Sequence, residues 1–253
     1  MAWLPPPRGK FLDAAARKAA EMQRSTFLHM LGLRMGDVLH PATRERIAAV
    51  KTQIGYTADE LFAAHEPSLP SCHRAPTHLQ MVALALASQR VLREEARRRN
   101  DVVLADVMKV RATVANALGV VAPDDGTPPY EIGGMWLPNK LAFFFTGAMF
   151  LPARRSTILE RMMLNFEVDL GEGFEIEALE PSPSRRMTRC LYASFLEVEA
   201  ERDDASLAAA DARDLMPVFQ AMHGATFCGV PGFAFEPDDS GHGGCFRFNT
   251  SSA

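Results

Sequence analysis

Apolar positions in the first two thirds of the chain recur at spacings of three and four, the period of helices buried along one face. An Ala-rich stretch from about Lys10 to Leu33 ends near Gly32 and Gly36. Pro41 suits the first turn of a helix running to Ile54, with Gly55 as its stop. Thr57 and Glu60 form a capping-box pair opening a short helix that Pro67 closes, and Thr77 with Gln80 opens a long helix toward Arg99. Arg97, Arg98 and Arg99 fill its last turn, where cations meet the negative end of the helix dipole. Asp101 is the expected cap of the next helix, whose stripe is Val103, Val107, Val110, Val114 and Leu118 and whose stop is Gly119. Residues 123–138, rich in Pro, Gly and Asp, read as a loop, and a further helix covers about Ser156 to Val168.

At Gly171 the period changes to two. Phe174, Ile176 and Ala178 alternate with Glu175, Glu177 and Leu179, Pro181 to Ser184 turn the chain, and Met187, Arg189 and Leu191 alternate with Thr188, Cys190 and Tyr192. A helix follows over about Asp204 to Met222, bent or interrupted near Pro217. Ala225–Glu236 and Gly244–Asn249 read as a last hairpin, turned by PDDSGHGG. The expected fold class is α+β. A mainly helical region, 1–170, precedes an antiparallel α+β unit, 171–253, in one integrated globule.

Composition narrows the function classes. The 253 residues are 47% hydrophobic and 23% charged, which excludes collagen-like and wholly disordered chains. With 27 Lys and Arg against 31 Asp and Glu, the charge of −4 lacks the basic excess that nucleic-acid binding rests on. Cys72, Cys190, Cys228 and Cys245 include no C-x-x-C pair, so a reducing compartment is expected. The first residues carry no secretory signal, and Asp13 and Glu21 interrupt the basic residues that organelle import would use. The expected location is therefore cytoplasmic, with import the lesser alternative. The most apolar run, Met135–Leu151, has about eleven uninterrupted residues where a bilayer needs about twenty. It reads as a core helix, as a pocket wall built from Phe143, Phe144, Phe145 and Phe150, or, more weakly, as an interfacial membrane helix.

The candidate chemistry lies near the C-terminal end of the chain. On the Asp204–Met222 helix, Leu207, Asp211, Leu215, Val218 and Met222 share a stripe, so Asp211 sits among apolar residues with Asp214 three positions on. A carboxyl desolvated there has a raised pKa, suited to acid–base work, unless the helix is rotated and both acids face water. Cys190 follows Arg189, and a neighbouring cation favours the thiolate, although a buried free cysteine is the plainer alternative. Arg189 and Arg247 are forks able to hold a substrate carboxylate, or else surface ion pairs. His242, in the Gly-rich turn, is a candidate proton relay. His223, Cys228, His242 and Cys245 form H-x4-C and H-x2-C pairs that could hold zinc, but their spacing matches no standard site and no metal or other cofactor is expected. No P-loop, dinucleotide fingerprint or H-E-x-x-H motif occurs.

The segments MTRCLYASFLEVEAERDD, AAADARDLMPVF and GHGGCFRF resemble the 2-aminothiazoline-4-carboxylate hydrolase family over residues 186–249. Cys190 takes the place of the family's first-strand cysteine, Asp214 that of the acid in its C-x-x-D helix motif, and Cys245, Phe246 and Arg247 its closing strand. Asp211 stands where that motif has cysteine, and Leu191 where proline follows the first cysteine. The resemblance implies a small-molecule hydrolase opening a cyclic C=N or amide-type bond. Cys190 would be nucleophile, Asp214 general acid or base and His242 relay, with Arg189, Arg247, Asp211, Phe144 and Phe145 toward the substrate. A cyclase or isomerase with an apolar pocket, and a non-catalytic binder of an apolar ligand or partner, are the rivals; self-association stays open.

Overall fold

The computed structural model describes residues 10–39, 44–71, 74–100, 107–120, 136–202 and 206–249. Expectations placed on Pro41, the Cys72–His73 loop, the Asp101 cap, residues 123–135 and the first nine residues lie outside this set.

The helical region comprises α1 (Lys10–Val38), α2 (Arg44–His65), α3 (Ala75–Arg99), α4 (Val107–Ala117), α5 (Trp136–Phe145) and α6 (Pro152–Leu170). Of these, α3 is central, packing against α1, α2 and α4 and against both later helices. Residues 82 to 89 are all buried, so this helix is enclosed on every side rather than along a stripe. Alanines at 83, 85 and 87 keep it thin enough for neighbours on all faces, and the buried Ser88 hydroxyl donates to the Leu84 carbonyl at 2.6 Å.

Three expected helix boundaries are corrected. Gly55 does not stop a helix, and Thr57 does not start one; α2 runs through both. The bare Gly55 backbone lets α1 approach, and the Arg24 guanidinium lies 3.0 Å from where a Cβ would stand, donates to the Gly55 carbonyl at 3.3 Å and pairs with Asp59. Tertiary packing here overrides the local stop signal. Likewise α3 begins at Ala75 with a proline in its first turn, leaving Thr77 inside the helix rather than at its cap.

The second region is an antiparallel sheet interleaved with helices: β1 (Glu175–Ala178), β2 (Arg185–Arg189), α7 (Leu191–Glu201), α8 (Leu207–Ala225), β3 (Phe233–Pro237) and β4 (Gly244–Phe248). The strand order is β1-β2-β4-β3, so β2 and β4 are central. Their inward residues, Met187, Phe246 and Phe248, are buried, as is Phe235 opposite Phe246. Phe227 packs on Phe233, Phe246 and Phe248, each fully buried Phe contributing roughly 2 kcal/mol of apolar burial. The alternation expected to continue through Tyr192 stops at Arg189, and the chain turns into α7, a helix that the alternating reading overlooked. Ser206 caps α8 by accepting from the Ala209 N–H at 3.1 Å. Pro217 does not interrupt α8; it lies on the exposed face of the helix. The architecture is α+β, a helical N-terminal region followed by a small four-stranded sheet with α7 and α8 between its halves. Among the described residues no helix is long and apolar enough to cross a membrane.

Candidate functional site

Cys190 occupies the junction where β2 becomes α7. Its backbone is extended, its carbonyl accepts from the Ser194 N–H at 3.0 Å, and its side chain turns inward to lie almost wholly buried. There Sγ is 3.2 Å from Nε2 of His223, on the last turn of α8. Tyr192, two residues beyond Cys190, stacks on the His223 ring with centroids 5.6 Å apart and planes inclined by 21°. The Tyr192 hydroxyl is 2.6 Å from Nδ1 of His78 on α3. His78 Nε2 faces the Asp169 carbonyl at 3.3 Å, so Nε2 carries the proton and Nδ1 accepts from the phenol. Phe166, Phe174 and Phe219 enclose the group.

Burial sets the protonation of all four side chains. It pushes the Cys190 thiol up to about 12, against the opposing backbone N–H groups of Ala193 and Tyr192. Burial, then the nearby thiol, raises the Tyr192 phenol well above its ordinary value. Burial lowers His223 to about 3, with His78 adding to the effect, and lowers His78 to about 4. The cluster is therefore neutral near pH 7: two protonated donors, Sγ–H and phenol O–H, each aimed at an unprotonated imidazole. Such a thiol carries its proton on sulfur and is not a standing thiolate.

The other expected site residues are dispersed. Arg189 does not lower the Cys190 pKa. Strand alternation sends its guanidinium to the exposed face, where it pairs with Glu175 at 3.3 Å while the thiol points inward. Asp211 is buried against α3, pairing with Arg93 and accepting from the Gln89 amide at 3.4 Å. Its pKa is raised by burial, with Arg93 opposing. Asp214 faces the same partners, 3.4 Å from Gln89 and 3.9 Å from Arg93. It precedes His223 by nine residues, about 13.5 Å of rise and two and a half turns, which puts the two on opposite sides of the helix, so the acid and the thiol look into different spaces. His242 Nε2 is 2.6 Å from Glu197 on α7, and its turn is pinned by the Gln220 amide, which donates to the Asp238 carbonyl at 2.8 Å. Arg247 is exposed and paired with Glu236 at 3.1 Å. Phe143 is buried, whereas Phe144 and Phe145 are 53% and 79% exposed. Among the described residues no three His, Cys, Asp or Glu side chains are grouped to hold a metal, and His223 and His242 have the separate partners just given.

Sequence reasoning missed Tyr192 and His78 as site residues and weighed His223 only for zinc. No spacing connects them, since His78, Cys190 and His223 come from three elements far apart in the chain. The signal within reach was His223 itself, one position beyond the Met222 that ends the apolar stripe.

A cavity of about 380 Å³ opens beside the junction, with Arg189, Leu191 and Gly173 on one side and His65 and Leu79 on the other. A larger apolar cleft, about 440 Å³ between α1, α3 and α4, has no ionisable side chain among the described residues of its lining. No family model matches this chain, and comparison with curated proteins and with solved structures finds no match either.

Proposed function

We propose that this protein is a small-molecule enzyme of hydrolase type, acting on a cyclic C=N or amide-type bond, with Cys190 and His223 as the reacting pair. The observation that carries the reading is the 3.2 Å approach of Sγ to Nε2 in a dry, aromatic enclosure. Sγ adds to the electron-poor carbon while its proton passes to His223; the substrate nitrogen then takes that proton as its bond to the carbon breaks. Water attacks the remaining thio-adduct and restores the thiol, its proton returning through His223. Tyr192, its hydroxyl held by His78, stacks on the His223 ring and fixes its plane. The resemblance over residues 186–249 supplies the substrate type, and a cytoplasmic setting fits Cys190, Cys228 and Cys245, none of which is in a disulfide.

The test uses 2-aminothiazoline-4-carboxylate and a series of cyclic amidines as substrates, with ring opening followed chromatographically. Cys190→Ser and His223→Gln each lower kcat by about 10²-fold or more. Unchanged turnover in both variants overturns the assignment. A second reading, an isomerase or cyclase that only relays protons, is favoured by the neutrality of all four groups. It predicts turnover with no covalent adduct at Cys190 by intact-mass measurement, whereas the hydrolytic route predicts an adduct that can be trapped.

A further inference from the structure

The cavity beside the β2–α7 junction is lined by groups that the Cys190–His223 reading does not use. His65, the last residue of α2, contributes an imidazole whose Nε2 is 2.8 Å from Glu199 Oε1. Glu199 is buried, and its other oxygen accepts from Arg90 at 2.6 Å, with Arg202 at 3.2 Å from Oε1. Burial pushes this carboxyl up, but His65 and Arg90 outweigh it and hold the group below its ordinary value. The Glu199 carboxylate accepts the Nε2 proton of His65, and in the neutral ring this leaves Nδ1 an acceptor without a partner among the described residues. The same linkage sets the ring's orientation, as does Phe195, whose centroid is 4.0 Å away.

Arg189 lines the same space. Its bond to Glu175 is an exposed pair of the kind worth little, so a competing anion displaces it readily. The rest of the lining is mostly apolar, with Leu79, Val82, Leu191 and the Phe195 ring, and it also carries Ser194 and Ser68, whose hydroxyl is taken up by the His65 carbonyl. An acceptor, a displaceable guanidinium and an apolar lining that includes one aromatic face define a complementary ligand: an anion, a planar body and an O–H donor. We propose that this cavity is a binding site for hydroxylated aromatic carboxylates, with Arg189 taking the carboxylate and His65 Nδ1 accepting the ligand hydroxyl. The site is separate from the Cys190–His223 pair and stands or falls independently of it.

The probe is 4-hydroxybenzoate, titrated into the full-length protein by calorimetry and by NMR of the histidine ring protons, with benzoate and phenol as its two halves. The expected result is saturable binding that shifts the His65 resonance, each half-probe binding about tenfold more weakly or worse. Arg189→Gln, on an exposed side chain, brings 4-hydroxybenzoate down to the level of phenol, and His65→Gln brings it to that of benzoate. If His65→Gln disturbs folding, the wild-type shift of the His65 ring carries that arm. No saturable binding up to about 10 mM, equal affinity for phenol, or affinity unaffected by Arg189→Gln overturns the proposal. Titration of Cys190→Ala keeps the two sites distinguishable, because this binding persists there whatever becomes of turnover.

Discussion

Acidification from pH 7 to pH 5 tests the buried cluster most directly. His223 and His78 sit neutral, at about 3 and about 4, while an unfolded histidine titrates near 6.5. A histidine lowered by folding is protonated only in the unfolded chain between the two values. The unfolded state therefore binds the extra proton, and stability is complete above about 6.5 and falls as pH drops toward the folded pKa. One pKa unit corresponds to about 1.4 kcal/mol, so from pH 6.5 to 5 the fully buried His223 costs about 2 kcal/mol. His78, partly open at its rim, adds a somewhat smaller loss of the same sign. Among the described residues the groups around His223 are Cys190, Tyr192, His78 and aromatic rings, with no carboxylate to offset the charge. Urea unfolding at pH 7, 6 and 5 measures the slope, and His223→Gln removes its own share. A slope that is identical in the variant and the wild type, or stability that holds constant down to pH 5, refutes the burial of a neutral His223.

Three further outcomes follow from the same geometry. At pH 8 a thiol raised to about 12 is roughly 10⁻⁴ ionised, so iodoacetamide modifies Cys190 far more slowly than the partly exposed Cys245, as read by peptide mass mapping. Rapid labelling of Cys190 in the native state would contradict its burial. Gly243→Ala places a Cβ 2.5 Å from the Met187 carbonyl and 2.7 Å from its Cβ, where the hairpin crosses β2, and costs about 2 kcal/mol in chemical denaturation. Glu199→Gln leaves Arg90 without its carboxylate and loosens the tie between α2, α3 and α7; a loss of roughly 3 kcal/mol is expected, visible as a lower urea midpoint.

Much of the fold was legible because periodicity is a local property. The long α3, the capped α8 and the closing hairpin all follow from spacing and turn residues that a reader of the sequence can count. The boundaries that failed were decided from a distance. Gly55 looks like a helix stop until Arg24 of another helix covers it. The missed helix α7 had its own signature, with Tyr192, Phe195, Leu196, Glu199 and Ala200 buried at helical spacing. Its opening residues, however, also continue the alternation of Met187 and Arg189, and one pattern masked the other. Cys190 could be singled out from sequence, but its partner could not. His223 lies 33 residues away, and only the packing of α7 on α8 brings the two together.

The strand end also shows why adjacency in sequence misleads about charge. Arg189 and Cys190 are covalent neighbours, yet a strand directs successive side chains to opposite faces, and here one face is water and the other is core. The guanidinium is screened by solvent and satisfied by Glu175, so its influence on the thiol is small beside the desolvation the thiol suffers. That inequality decides the chemistry. A cation-activated thiolate needs only Arg189, whereas a desolvated thiol needs a base on its own side of the backbone. The fold places one imidazole there, His223 at 3.2 Å, and the burial that makes the thiol a weak acid also makes that imidazole a weak base, so the resting pair is neutral.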